Sequence, residues 1–282
     1  MKLRILLVIS ALAWVTSSWG DVLVKITPDV VYGHKDGLAL TMDVLTPIKP
    51  NGAGVVFIVS GGYGSRWYPP EHAVRNRRPL LDSGYTVFSV RHGSAPKYLV
   101  PEIIEDVRRS IRFIRLNAKR FNIHPNKIGV TSASSGGHLA LMLATTADAG
   151  DSTAKDPVLR SSNRVNATVA YFAPADLREW VKPGSFYYQR YPALRFAPAK
   201  AAMCSPILHV DKQDAPTLLV HGSQDPRVPL KHSEQMFAEL KKHKVSAKLV
   251  VIKGAGHGFI GKEIQQASSE RVAWFDKHLL GE

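Results

Sequence analysis

Thr131-Ser132-Ala133-Ser134-Ser135-Gly136-Gly137-His138 stands between an apolar, strand-like run over Lys127–Thr131 and a helix-like run over Leu139–Ala147. A serine with small residues two places to either side, at a strand-to-helix junction, marks a sharp turn that raises the side chain above a sheet. The neighbours must be small because strand and helix pass close together there. Raising the side chain matters because a serine hydroxyl is a weak nucleophile unless a base reaches it. Ser134 is therefore the candidate nucleophile, with Ser132 and Gly136 at the crowded positions. The usual pattern has glycine where Ser132 stands. A Ser/Gly-rich loop without chemistry is the plain alternative, and the rest of the chain must decide.

Acid and base follow such a nucleophile in the order Asp or Glu, then His. Pro216–Val220 reads as a short buried strand and leads into His221-Gly222-Ser223-Gln224-Asp225-Pro226-Arg227-Val228-Pro229, so Asp225 sits in a loop at a strand end. Leu249–Ile252 is the next strand and empties into Gly254-Ala255-Gly256-His257-Gly258-Phe259. His257 is placed to take the Ser134 proton, and Asp225 to fix its tautomer and stabilise the imidazolium. Asp176, after the sixth strand, is the rival acid, while His138 and His221 read as structural. Upstream, Val55–Val59 runs into Ser60-Gly61-Gly62-Tyr63-Gly64-Ser65. The backbone N–H groups of Gly62 and Ser135, joined by that of Tyr63, are the candidate oxyanion donors.

With these pieces in place the chain resembles the alpha/beta-hydrolases, in the esterase/lipase branch that holds feruloyl- and acetyl-xylan-esterase-like enzymes. The resemblance rests on Ser60-Gly61-Gly62, Ser134-Ser135-Gly136-Gly137-His138-Leu139-Ala140, His221–Pro229 and Gly254–Gly258, and extends over about residues 30–280. It implies a serine esterase with Ser134, Asp225 and His257 as its triad and no cofactor. Two positions depart from the family: Ser60 replaces a histidine that braces the oxyanion loop, and Ser132 replaces the glycine.

The strand-like runs fall at about 22–33, 38–45, 55–59, 85–91, 127–132, 166–172, 216–221 and 247–253. Helical patterns fall near 71–83, 102–122, 135–148, 229–243 and 262–279. This alternation predicts an α/β fold: a mainly parallel eight-stranded sheet with helices on both faces. Ligands in such sheets bind beyond the carboxyl ends of the strands, where the four motifs converge. Residues 178–205 break the rhythm with Trp180, Phe186, Tyr187, Tyr188, Tyr191 and Phe196 among three prolines, and read as a short cap. Trp67, Tyr68 and Tyr187 are the candidate substrate contacts.

The 282 residues carry a formal charge of +14. Met1–Gly20, with Lys2 and Arg4 ahead of apolar Ile5–Val15, reads as a cleaved signal peptide, so a secreted or periplasmic protein is expected, with residues 21–282 as one domain. No later run is long enough to span a bilayer. Cys204 is the only cysteine, so no internal disulfide is possible. No phosphate loop and no metal-ligand spacing is present. In the 102–122 helix, Arg108, Arg112, Arg115 and Lys119 form a basic stripe, read as a solvated face. No nucleic-acid-binding motif accompanies it, and the expected partner is an acylated small molecule or polysaccharide. The short cap predicts a preference for short acyl groups, and the surface charge predicts faster encounter with acidic polymers. A serine peptidase of the same fold and a non-catalytic binding relative are the other readings. Retention of Ser134, Asp225 and His257 together favours the enzyme.

Overall fold

The computed structural model describes residues 23–282, so the leader read at 1–20 lies outside the described residues. The strands are β1 (Val24–Lys35), β2 (Leu38–Pro47), β3 (Gly54–Ile58), β4 (Thr86–Val90), β5 (Ile128–Ala133), β6 (Ala167–Tyr171), β7 (Thr217–Gly222) and β8 (Ala247–Ile252). They form one sheet in the order β1-β2-β4-β3-β5-β6-β7-β8. β2 pairs antiparallel with β1 and β4, and every other pairing is parallel. This is the mainly parallel eight-stranded sheet the sequence predicts. Every residue of β4, β6 and β7 is buried, as a parallel strand covered on both faces requires.

The helices are α1 (Pro70–Asp82), α2 (Val100–Leu116), α3 (Ser135–Thr145), α4 (Phe186–Arg190), α5 (Lys231–Lys242) and α6 (Lys262–Phe275). α1 and α6 cover one face through Leu80, Leu81, Trp274 and Phe275, which pack on β3, β4 and β6. α2 and α3 cover the other through Ile103, Val107, Ile111, Leu139 and Leu143, and α5 extends that layer toward β7 with Met236 and Leu240. α3 is buried along its whole length, so the helix after the turn at Ser134 is clamped inside the protein.

Two expectations need correction. The helix read over 102–122 ends at Leu116, where Asn117 Nδ2 donates to the Phe113 carbonyl at 2.8 Å. Ala118 and Phe121 are still buried, from a turn rather than a helix, which is why the apolar period ran on. Of the basic stripe only Lys119 is exposed; the three arginines are not a solvated face. Arg112 is buried, and its Nη2 donates to both carboxylate oxygens of Asp148 at 2.5 and 2.6 Å. Arg115 donates to the carbonyls of Pro125, Ser162 and Arg164, and Arg108 to Glu105 and Thr146. Arg112 and Arg115 tie α2 to the 148–164 connection, and Arg108 ties it to the end of α3. Charged donors sharing fixed acceptors are worth more than exposed pairs.

The 178–205 region consists of α4 and the 3₁₀ turns Pro192–Leu194, Pro198–Lys200 and Ala202–Cys204. Among the described residues, no helix is long and apolar enough to cross a membrane.

Candidate active site

Ser134 lies between the end of β5 and the first turn of α3, with φ +55° and ψ −124°. A non-glycine residue there is strained by about 1–3 kcal/mol, so its surroundings must hold it. Its N–H donates to the Tyr171 carbonyl at 2.9 Å, and its own carbonyl accepts from His138 N–H at 2.9 Å. A Cβ added at Gly136 would sit 2.8 Å from the Ser132 Cβ and 3.2 Å from the Ile58 carbonyl. Only glycine leaves room for helix and strand to cross there.

The two departures from the family pattern both make hydrogen bonds between elements. Ser132 is buried, and its Oγ donates to the Ile58 carbonyl at 2.6 Å. Ser60 Oγ lies 3.1 Å from Ser135 Oγ. One hydroxyl ties β5 to the last residue of β3, and the other ties the loop after β3 to the first residue of α3, the two places that carry the candidate oxyanion donors.

His257 Nε2 is 3.0 Å from Ser134 Oγ, and His257 Nδ1 is 2.7 Å from Asp225 Oδ2. A carboxylate only accepts, so Nδ1 carries the proton and Nε2 is left to accept from the serine hydroxyl. Asp225 Oδ1 accepts from the N–H groups of Arg227 and Val228 at 2.8 and 3.0 Å. Burial pushes the Asp225 carboxyl up, but hydrogen bonds from His221, His257, Val228 and Arg227 outweigh it and hold the group well below the ordinary carboxylate range. It stays ionised. His221 packs behind Asp225: its Nε2 lies 3.4 Å from Asp225 Oδ2 and 2.9 Å from the Val228 carbonyl, and Ser233 Oγ binds its Nδ1. The His257 ring rests against Phe172, centroids 4.7 Å apart. A Cβ at Gly222 would overlap the carbonyls of Ala255 and Gly256, so glycine there lets the His257 loop lie against β7.

Gly62 and Tyr63 both have positive φ, +58° and +63°, which turns this backbone toward Ser134. The paired carbonyls and N–H groups of Gly61 and Gly64 close the loop at 2.9 and 3.0 Å. The Tyr63 ring is buried, edge-on to His138, so only its backbone faces the pocket. Ser135 opens α3, where first-turn N–H groups have no intrahelical acceptor and the helix dipole favours negative charge.

The pocket at Ser134 is narrow, about 20 Å³, and is lined by Gly62, Tyr63, Ser135 and His257 together with Pro174, Trp180, Tyr191, Arg227 and Val228. Of the three aromatics expected to touch substrate, none lines it. Tyr187 stacks flat on Trp180 at 3.8 Å and donates to the Arg227 carbonyl, so it backs the pocket wall. Trp67 is exposed, and Tyr68 faces a separate cleft. Trp180 and Tyr191 take the lining role. Both belong to the same aromatic-rich stretch, but nothing in its spacing singles them out. Asp176 is salt-bridged to Arg178 at 2.7 Å and lies on another cleft, away from His257. His138 is buried, bonded to the Cys204 carbonyl at 2.7 Å, and burial lowers its pKa to about 4. Among the described residues no group of three His, Cys, Asp or Glu side chains is placed to hold a metal ion.

Sheet order, elbow and loops together define an alpha/beta-hydrolase fold. Within it, the chain belongs to the BD-FAE family, whose model matches residues 42–240. It is 30% identical to Esterase LipC of Mycobacterium tuberculosis over 82% of this chain and 59% of that protein. It therefore spans about three fifths of that relative's length. Among solved structures it is similar to a truncated carbohydrate esterase from gut microbiota, with a TM-score of 0.78 at 24% identity, covering 94% of this chain and all of that one. An acetyl ester-xyloside bifunctional hydrolase from Caldicellulosiruptor lactoaceticus matches with a TM-score of 0.72 at 24% identity, over 95% of this chain and 96% of that one.

Proposed function

We propose that the protein is an exported serine carboxylester hydrolase that removes short acyl groups, acetyl or feruloyl, from polysaccharide or its fragments. The observation that carries this reading is the unbroken chain from Ser134 Oγ through His257 to an ionised Asp225. In the first half-reaction Ser134 Oγ attacks the ester carbonyl carbon while its proton passes to His257 Nε2. The negative charge that develops on the carbonyl oxygen meets the N–H groups of Ser135 and of Gly62 or Tyr63. Collapse breaks the bond to the alcohol oxygen, which leaves with the proton from His257. Water then attacks the acyl-serine with His257 as base, releasing the carboxylic acid and restoring Ser134. Asp225 stabilises the imidazolium in both halves and gives up no proton.

The narrow pocket walled by Gly62, Tyr191 and Trp180 supports compact acyl groups over long chains. The esterase and carbohydrate-esterase relatives support the substrate class. The test is a panel of p-nitrophenyl acyl esters with acetylated xylan, acetylated pectin and methyl ferulate, run on wild type and Ser134→Ala. Acetate should outrun long chains, and Ser134→Ala should lose about 10⁴- to 10⁶-fold in kcat while keeping its fold. Turnover by folded Ser134→Ala would remove the mechanism, and a preference for long-chain esters would remove the short-acyl assignment.

A further inference from the structure

On the other side of the 60–65 loop a second cleft opens, about 260 Å³ in volume. Its floor is a cross-strand row: Asp43 on β2 opposite Ser89 on β4, and Ser89 opposite Phe57 on β3. α1 overhangs this row, and Arg77 lays its guanidinium on the Phe57 ring, 3.3 Å from the centroid. Arg77 is only 9% exposed, and its buried Nε has no hydrogen-bond partner. Ser89 is 2% exposed, and its Oγ has none either. Both line the cleft, with Arg66 and Tyr68 at its mouth.

Charge is unbalanced there. Of the lining groups, Asp43 is taken by Arg91, which donates to its two oxygens at 2.6 and 3.0 Å, and Asp29 adds a further carboxylate to Arg91 at 2.7 Å. Arg66 and Arg77 form no ion pair among the described residues. Burial and the charge of Arg271 lower Arg77 to about 9, so it is still a cation at neutral pH. A buried guanidinium without a carboxylate, beside a buried hydroxyl without a partner, is costly in a finished core. In an accessible cleft the same pair is what a planar anion needs: a fork of donors and a further O–H.

We propose that this cleft binds the carboxylate of a uronic-acid unit in the acylated substrate, held by Arg77, Ser89 and Arg66, while a neighbouring acyl-bearing unit lies at Ser134. The inference rests on the ester-hydrolase reading for its substrate but not for its binding. Val59 lines the cleft, Gly62 and Tyr63 line the catalytic pocket, and the two sites share the loop between them.

Calorimetric titration of wild type with galacturonate and with galactose tests the binding. Galacturonate should bind at least tenfold more tightly than galactose. Arg77→Met should weaken it about tenfold, Ser89→Ala several-fold, and Arg77→Lys should fall between, keeping the charge without the fork. On polymers, the ratio of kcat/KM for acetylated pectin over acetylated xylan should drop about tenfold in Arg77→Met, through KM. Should Arg77→Met fail to fold, Ser89→Ala and the wild-type titrations decide. Equal binding of the two sugars, or an unchanged substrate ratio in the folded variants, overturns the proposal. Inorganic phosphate binding as tightly as galacturonate also overturns it, since that marks a small-anion site blind to sugar. Galacturonate bound by Ser134→Ala, which hydrolyses nothing, supports it. Acetate-ester hydrolysis by a wild type that ignores galacturonate removes this inference alone.

Discussion

The proposed nucleophile half of the site and the proposed base half are positioned by different means. Around Ser134 the work is done by backbone: a strained turn, N–H and carbonyl bonds to Tyr171 and His138, and glycine where β5 meets α3. Around His257 it is done by side chains: a carboxylate holding one imidazole, a second histidine and a serine behind it, and the Phe172 ring beneath. The first half is therefore sensitive to volume and the second to charge and tautomer. Substitutions in the close-packed frame beneath Ser134 should register mainly in stability, and those in the polar chain behind His257 mainly in turnover.

Asp225→Asn probes the base half and carries the larger effect. The amide nitrogen facing His257 Nδ1 would favour the tautomer with Nε2 protonated, which cannot take the Ser134 proton. kcat should fall by about 10⁴ with KM little changed, because backbone N–H groups still hold the side-chain oxygen. A matching loss of melting temperature would show that this half too is a folding element, and the contrast would fail. Asp176→Asn run alongside should turn over normally.

Gly136→Ala probes the nucleophile half. Alanine gains about 0.5–1 kcal/mol as a helix residue over glycine, but its Cβ meets Ser132 and the Ile58 carbonyl, and such overpacking costs about 1–3 kcal/mol or more. The crowding wins, and the variant should melt lower. Ser132→Gly added to it removes the side chain in contact and should recover part of the loss, giving a favourable coupling in the double-mutant cycle. Additive effects would mean that the Ile58 carbonyl, not Ser132, sets the limit.

The same difference explains what the sequence made legible. Ser134, Asp225 and His257 are readable because each must stand just past the end of a strand, and strands with glycine-flanked loops leave a local signature. The sheet is readable because buried parallel strands are short apolar runs. The partners of Arg112 and Arg115 in the 148–164 connection are not, since they lie 36–49 residues away in a polar stretch without periodicity. Tyr187 and Tyr191 are indistinguishable in a run of aromatics, and only the turn after Arg190 decides which one faces Gly62. The cleft beside α1 escapes for the same reason. Asp43, Ser89, Phe57 and Arg77 come from four elements, and no spacing along the chain brings them together.

The smallest effect belongs to the contact where a side chain intrudes on the backbone-built half. Ser60 and Ser135 share one hydroxyl–hydroxyl bond of 3.1 Å; Ser60 is in the loop that supplies Gly62 and Tyr63, and Ser135, first in α3, is itself a candidate oxyanion donor. Such a bond is worth about 1 kcal/mol net, or about fivefold in rate if all of it is felt in the transition state. Ser60→Ala should therefore lower kcat about three- to tenfold on an acetate ester, with KM and melting temperature close to wild type. Ser135→Ala should do the same. The double variant should lose no more than either single one, because both remove the same bond. Wild-type kcat in Ser60→Ala would mean that the Gly61–Gly64 pairing and the Ser65 hydroxyl on the Val59 carbonyl hold the loop unaided. A double variant that loses the product of the single effects would mean that each hydroxyl acts on its own, with Ser60 then touching the reacting oxygen rather than its neighbour.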